Sequence, residues 1–108
     1  MEIRILYKAV GKPWQEASID NTLGAMQATV GGYIETVTLD NGVVLICNEE
    51  GRIRDMPYNF TLRRMRGVVT IQNAIFGTVI ACGVEGDEFA DIPIDFNEWK
   101  ALLCEWGN

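Results

Sequence analysis

The run GGYIETVTLDNGVVLICNEEG, residues 31–51, decides the fold of this chain. Residues 33–39 are rich in β-branched and aromatic side chains, which favour strands. Asp40-Asn41-Gly42 follows, and Asn-Gly between two apolar runs is the strongest short-range signal for a β-hairpin. Residues 43–47 are apolar at every position, as is typical of a central strand that is covered on both faces. We therefore predict a buried hairpin with a two-residue loop at Asn41-Gly42.

The composition indicates one compact domain spanning residues 1–108. A chain of 108 residues with 48% apolar residues can build one hydrophobic core but not two. No apolar run approaches the roughly 18 residues that a membrane-spanning helix needs, and the N-terminal residues lack the pattern of a signal peptide. The three cysteines are unclustered and have apolar neighbours, which fits reduced thiols. We expect a cytoplasmic protein without a membrane partner.

Charge is distributed unevenly along the chain. The sequence has no histidine, which excludes imidazole bases and histidine-ligated zinc. The formal net charge of −6 argues against nucleic acid as a partner. Residues 52–66 carry five arginines and one aspartate, whereas residues 85–105 carry seven acids and one lysine. The protein therefore has a basic middle and an acidic C-terminal part.

The first third of the sequence predicts two strands and a helix. Residues 2–8 alternate as a half-buried strand does, and residues 14–19 predict a second strand after the Gly11-Lys12-Pro13 turn. Asp20-Asn21-Thr22 offers N-caps for a short helix, which we expect to end at Gly31-Gly32 with one glycine in the left-handed conformation.

The central hairpin is followed by an irregular segment and then by two predicted strands. We expect residues 52–67 to be irregular, because Pro57 disfavours helix and removes a backbone donor. Residues 68–71 and 75–82 predict two antiparallel strands, joined by a turn at Gln72-Asn73-Ala74.

The C-terminal part predicts an acidic loop and a last helix. Residues 83–91 form the loop, with a short edge strand at Phe89, and Asp95 caps a helix whose apolar stripe runs from Phe96 to Trp106. Strands and helices without regular βαβ alternation predict an α+β fold. We expect a mainly antiparallel sheet of about five to six strands with two short helices packed on one of its faces.

Part of the sequence resembles a known family. The residues that carry the resemblance are VGGYIE (30–35), LICNEEG (45–51), Pro57, Asn59 and Gly77-Thr78. They are similar to a domain-of-unknown-function family of short proteins encoded by phages, plasmids, integrative elements and Firmicutes, over residues 1–83. The resemblance implies a genomic neighbourhood of antirestriction and other counter-defence genes, and no established activity. Gly24 departs from the family, which usually has an acid there, and TLRRMRG (61–67) looks particular to this member.

An arginine-rich cluster is the first candidate binding site. Its members are Arg52, Arg54, Tyr58, Asn59, Arg63, Arg64 and Arg66. Guanidinium groups bind phosphate or carboxylate through paired hydrogen bonds and stack on aromatic rings, so the cluster suits an anionic ligand or an acidic protein surface. The alternative is that these arginines neutralise the protein's own acidic C-terminal part or are merely solvated. If they bind a partner, Arg63→Glu with Arg64→Glu is expected to abolish binding and leave stability almost unchanged.

The open end of the central hairpin is the second candidate cluster. Its members are Glu35, Asn48, Glu49 and Glu50. With a two-residue loop, Glu35 lies opposite Asn48, and the oxygen atoms gathered there could hold Mg²⁺ or Ca²⁺ or include a general base. The alternative is a solvated turn in which Asn48 and Glu49 satisfy backbone donors. We favour the turn and predict no metal, because the EF-hand pattern is missing.

Two further features of the sequence are an acidic segment and a cysteine in the central strand. The acidic segment 85–98 could imitate a phosphate array and occupy a nucleic-acid-binding protein. Cys47 lies in an apolar strand, where burial raises the pKa of a thiol, so it is a poor nucleophile.

Taken with the resemblance, these features predict a non-catalytic binding protein of phage or mobile-element type in the host-cell cytoplasm. It would antagonise a host defence system by occupying a protein surface or sequestering a ligand. The alternatives are a pocket for a nucleotide-like anionic small molecule, built on the arginines and Asn59, and a carboxylate-dependent metal site or enzyme at Glu35 and Glu49. A structural homo-oligomer is a further alternative. We expect a host defence protein or an anionic small molecule as partner and no cofactor.

Overall fold

A computed structural model describes residues 1–39, 41–106 and 108. Along this part of the chain the elements are β1 (Glu2–Lys8), β2 (Gln15–Asp20), α1 (Leu23–Val30), β3 (Ile34–Thr38), β4 (Val43–Asn48), β5 (Tyr58–Arg66), β6 (Val69–Phe76), β7 (Val79–Glu85), β8 (Glu88–Ala90) and α2 (Phe96–Glu105). Each pair of neighbouring strands among these residues is antiparallel. The fold is α+β, as predicted.

The larger sheet has the strand order β2-β1-β7-β4-β3, with β8 paired to β7. Strand β4 lies inside this sheet and is buried at every residue, which confirms its predicted central position. Strands β5 and β6 form a separate two-stranded sheet, which packs against the larger one. Neither described helix is long and apolar enough to cross a membrane.

Each face of the larger sheet has its own cover. One face packs against Met26 and Val30 of α1, and the other packs against Leu62 and Ile75 of the β5–β6 hairpin and Trp99 of α2. The expectation that both helices cover one face is therefore wrong. Side chains alternate along a strand, so a strand that is apolar at every position, as β4 is, needs cover on both faces.

The loop of the central hairpin differs from the predicted one. The Leu39 N–H donates to the Val43 carbonyl at 2.9 Å, so three residues separate the paired positions instead of two. Gly42 has φ 80°, the left-handed conformation that a three-residue hairpin loop uses. Because the register moves by one residue, Glu35 lies opposite Cys47 and not opposite Asn48. Asp40 lies outside the described residues.

The segment predicted to be irregular contains the longest strand. β5 begins directly after Pro57 and pairs with β6 through a two-residue loop at Gly67-Val68, in which Gly67 has φ 59°. The predicted turn at residues 72–74 is wrong, because β6 runs through it as regular strand. Arg64 lies on the inward face of β5. Because a charged residue stands where the strand pattern requires an apolar one, the sequence does not predict this strand.

Candidate functional site

The Asn48 side chain is buried and connects α1, β4 and the turn after β4. Its Nδ2 donates to the Val30 carbonyl at 3.1 Å, and its Oδ1 accepts the Glu50 N–H at 2.7 Å. Gly31 ends α1 with φ 84°, and a Cβ atom on Gly32 would lie 2.9 Å from Asn48 Nδ2. The VGGYIE and LICNEEG segments therefore meet here, and their glycines and asparagine are required for packing.

Asn59 connects the β5–β6 hairpin to the larger sheet. Its Nδ2 donates to the carbonyls of Lys8 and Gly77, both at 2.8 Å, and its Oδ1 accepts from Lys8 Nζ at 2.5 Å. Burial lowers the pKa of Lys8. Since both ends of the Asn59 amide are occupied, this residue holds β5 in place and has no donor left for a ligand.

The structure divides the arginine-rich cluster into two groups. Arg52 and Arg54 precede β5, and Arg54 forms an exposed ion pair with Glu50 at 3.2 Å. Arg63 and Arg66 are exposed near the other end of β5. Strand geometry separates the two groups by roughly 20 Å. A single ligand of nucleotide size does not reach both groups.

Arg64 is buried on the inner face of the hairpin. Its side chain is 6% exposed, and its Nη1 donates to the Thr38 carbonyl at 3.3 Å, which links β5 to β3. Nε has no hydrogen-bond partner among the described residues. The expectation that Arg63→Glu with Arg64→Glu leaves stability almost unchanged is therefore wrong, because this change would bury a carboxylate at Arg64.

A groove beside β6 brings members of both candidate clusters together. It is a cavity of about 410 Å³, which we call the β6 groove. Its lining residues are Glu35, Val37, Cys47, Asn48, Glu49, Gly51, Arg52, Ile53 and the β6 residues Gln72, Asn73, Ala74, Ile75 and Phe76. Arg52 of the arginine-rich cluster therefore lines the same groove as Glu35 and Glu49 of the carboxylate cluster.

The walls of the β6 groove combine charge with apolar surface. The Arg52 guanidinium lies 5.5 Å from the centroid of the Phe76 ring, and the Tyr58 ring contacts Phe76 edge to face with centroids 5.8 Å apart. Ile53 is 81% exposed at the rim. Asn73 Oδ1 is buried and has no hydrogen-bond partner among the described residues. Charged and amide side chains therefore contribute about as much to the lining as apolar side chains do.

Cys47 contributes an unreactive thiol to the groove. Burial, and to a smaller extent the nearby Glu35 carboxylate, raise the pKa of Cys47 to about 11. The thiolate is the nucleophile, so Cys47 is a poor one at neutral pH, as predicted. Within residues 1–39, 41–106 and 108, no three cysteine or acidic side chains converge as a metal site would require.

The acidic segment is partly structural. The Asp91 carboxylate accepts the Arg4 N–H at 2.8 Å, and Asp95 caps α2 by accepting the Glu98 N–H at 2.7 Å. Glu85 and Glu88 are exposed and line a second cavity of about 390 Å³. Within the described part of the chain, Arg54 of the arginine-rich cluster pairs with Glu50, which lies outside the acidic C-terminal part.

Sequence reasoning missed the β6 side of the groove. The sequence predicts a turn at Gln72 and Asn73 and a following strand through Phe76, and nothing in their local pattern marks them as a binding surface. These residues form a binding surface only because β6 packs beside β3 and β4, from which it is distant in the sequence.

The comparisons with known proteins give a family but no activity. A family model described as a domain of unknown function (DUF3846) matches residues 3–103. This range is longer than the predicted similarity over residues 1–83, and it includes both the TLRRMRG segment and most of α2. No curated protein and no solved structure shows a significant match.

Proposed function

The chain belongs to the DUF3846 family, and we propose that it is a small non-catalytic binding protein whose binding site is the β6 groove. In this proposal the partner is a protein, and the biological role is to antagonise a host defence system by occupying a surface of one of its components. The resemblance to phage and mobile-element proteins motivates that role.

The observation that carries the proposal is the convergence of charge and apolar surface in the β6 groove. Glu35, Glu49 and Arg52 line it together, although the sequence places them in two separate clusters. Ile53, which is exposed at the rim, offers apolar contact area. Exposed apolar surface rimmed by charged residues is characteristic of protein interaction sites.

A nucleotide-like small molecule is the second candidate ligand. The Arg52 guanidinium over the Phe76 ring favours it, because such a pair can stack on a base or hold a phosphate. The two carboxylates of Glu35 and Glu49 oppose it, since they repel a phosphate that approaches Arg52. A protein partner avoids this repulsion by placing a basic side chain beside the carboxylates, and we therefore favour a protein.

The proposal is tested by charge reversal at the groove with a matched control. Glu35→Lys with Glu49→Lys reverses two exposed carboxylates that line the groove. The control, Glu85→Lys with Glu88→Lys, makes the same charge change at exposed residues outside it. Proteins captured from host cells and complexes seen by native mass spectrometry are compared for the wild type and both variants.

We expect a protein partner that binds the wild type and the control and is lost from the groove variant. Equal capture of every partner by all three proteins would refute the groove as the site. A small molecule that stays with the wild type and the control, without a protein partner, would replace the protein proposal by the nucleotide-like alternative.

A further inference from the structure

We infer that the outer edge of β6 receives an extended segment of the partner protein, which adds a third strand to the β5–β6 sheet. This inference rests on the proposed function, because it names the kind of partner that the same groove binds. Its support comes from the hydrogen-bonding geometry of the hairpin.

The contacts of Arg63 define which backbone groups of β6 point outward. The Arg63 N–H donates to Asn108 Oδ1 at 3.2 Å, and the Arg63 carbonyl accepts from Asn108 Nδ2 at 3.0 Å. Both backbone groups therefore point away from β6. Gln72 lies directly opposite Arg63, so this pair is a non-hydrogen-bonded pair of the antiparallel ladder. The N–H and carbonyl of Gln72 consequently point away from β5.

Ala74 repeats this orientation two residues further along β6. It lies opposite Thr61, and hydrogen-bonded and non-hydrogen-bonded pairs alternate along the ladder. Gln72 and Ala74 both line the β6 groove. Among the described residues, no hydrogen bond joins their backbone groups to anything beyond the hairpin. The outer edge of β6 thus presents two donors and two acceptors in the spacing that an added strand requires.

Two other strand edges close to this hairpin each have one residue whose backbone is hydrogen-bonded by a side chain. Asn108 occupies both backbone groups of Arg63 on the outer edge of β5. Arg64 Nη1 donates a hydrogen bond to the Thr38 carbonyl on the outer edge of β3. Natural proteins usually protect an exposed edge by charge, proline or a covering segment. Residues 71–75 of β6, Ile-Gln-Asn-Ala-Ile, contain neither a charge nor a proline, so this edge is suited to pairing.

The lining of the groove indicates the chemistry of the incoming segment. In a strand that follows β6, alternate side chains point to the same face. Val37 and Cys47 offer apolar contact to one of them. Glu35 and Glu49 have no ion-pair partner among the described residues, and they favour a lysine or arginine at a neighbouring position. In strand addition the backbone bonds supply affinity, and such side-chain contacts supply specificity.

The inference is tested with a display library of short random peptides selected on the immobilised full chain. Enriched peptides are then titrated into isotope-labelled protein, and amide hydrogen exchange is followed residue by residue. We expect the exchange of the Gln72 and Ala74 amides to slow by about tenfold or more on binding, because each becomes hydrogen-bonded. The Asn73 amide, which already faces β5, is the internal control and changes little.

Substitution at Gln72 separates the backbone from the side chain. Gln72→Pro removes the outward N–H without removing a bond of the β5–β6 ladder, and edge strands tolerate proline at such positions. Gln72→Pro is expected to lower the affinity of the enriched peptides by about tenfold or more. Gln72→Ala keeps the N–H and should change their affinity by less than about threefold. Ala74→Pro is the second variant if the spectrum of Gln72→Pro shows a loss of folded structure.

Several results would overturn the inference. One is that selection on the wild type enriches no peptide beyond those that selection on Gln72→Pro also enriches. If Gln72→Pro does not fold, Ala74→Pro takes its place in this comparison. Another is enriched peptides that leave the Gln72 and Ala74 amides unprotected. A dimer that forms without peptide and is lost on proline substitution would assign the edge to a second copy of this chain. If charge reversal at Glu35 and Glu49 abolishes partner capture but Gln72→Pro does not, the proposed function holds and strand addition is wrong.

Discussion

The side chain of Asn48 donates a hydrogen bond to the carbonyl of Val30, 3.1 Å away, and so fastens the end of β4 to the end of α1. The same amide accepts the Glu50 N–H at 2.7 Å and thereby shapes the turn that carries Glu49 and Arg52 into the β6 groove. One buried amide therefore connects the helix, the central strand and one wall of the candidate site.

Asn48→Ala is expected to lower the free energy of unfolding by roughly 1–3 kcal/mol, because it leaves the Val30 carbonyl and the Glu50 N–H without partners. Chemical denaturation followed by circular dichroism measures the change. Asn97→Ala, at an exposed position of α2, is the control and should alter stability by less than about 0.5 kcal/mol. An Asn48 variant as stable as the control would contradict the role of this amide.

Gly32→Ala should also destabilise the protein, and its effect should depend on Asn48. A Cβ atom at Gly32 would lie 2.9 Å from Asn48 Nδ2, closer than non-bonded atoms approach. In the background of Asn48→Ala the clash is removed, so Gly32→Ala should cost less there by about 1 kcal/mol. The double-mutant cycle measures this coupling, and strictly additive effects would show that the contact is relieved in another way.

Arg63 and Arg64 are adjacent in the sequence but should respond differently to the same change. Arg64→Glu buries a carboxylate beside the Thr38 carbonyl and is expected to cost on the order of 2–4 kcal/mol. Arg63→Glu changes an exposed side chain and should cost less than about 0.5 kcal/mol. Thermal and urea unfolding of the two single variants provide the comparison. Equal losses would mean that Arg64 is not buried in solution.

The three thiols should differ in their reactivity. Cys104 is exposed, whereas Cys47 and Cys82 are buried. A thiol reagent at neutral pH is expected to modify Cys104 rapidly and the other two only after unfolding. Mass spectrometry of the labelled protein counts the modified thiols, and Cys104→Ser should remove the rapid phase. A rapid phase that survives this substitution would contradict the burial of the other two.

Stability should fall at alkaline pH as the buried thiols ionise. Burial raises the pKa of Cys82 to about 12 and that of Cys47 to about 11, from an ordinary value of 9.0. The folded protein therefore favours the neutral thiols, and this contribution is fully present below pH 9 and is lost as the pH rises through 11 and 12. Each unit by which folding raises the pKa of a thiol corresponds to about 1.4 kcal/mol in the free energy of unfolding. Urea unfolding from pH 8 upward should show a smaller decline for Cys82→Ala than for the wild type.

Local sequence signals determined much of the fold. Residues 43–47 are apolar throughout, and a strand that buries such a run must be covered on both faces. Both helices begin at predicted N-caps: Thr22 accepts the Ala25 N–H at 3.1 Å and Asp95 accepts the Glu98 N–H. The predicted left-handed glycine at the end of α1 is Gly31. These features depend on neighbours within a few residues, so the sequence specifies them directly.

Tertiary packing decided the rest. The loop at Gly42 accommodates two registers that differ by one residue, and the packing of β3 against its neighbours selects the one that places Glu35 opposite Cys47. Arg64 interrupts the apolar pattern of β5, and its inward position is stabilised only because the Thr38 carbonyl lies within reach of its guanidinium. The β6 groove exists because β6 packs beside β3, β4 and the turn after β4, and contacts between such distant segments leave no periodic trace in any of them.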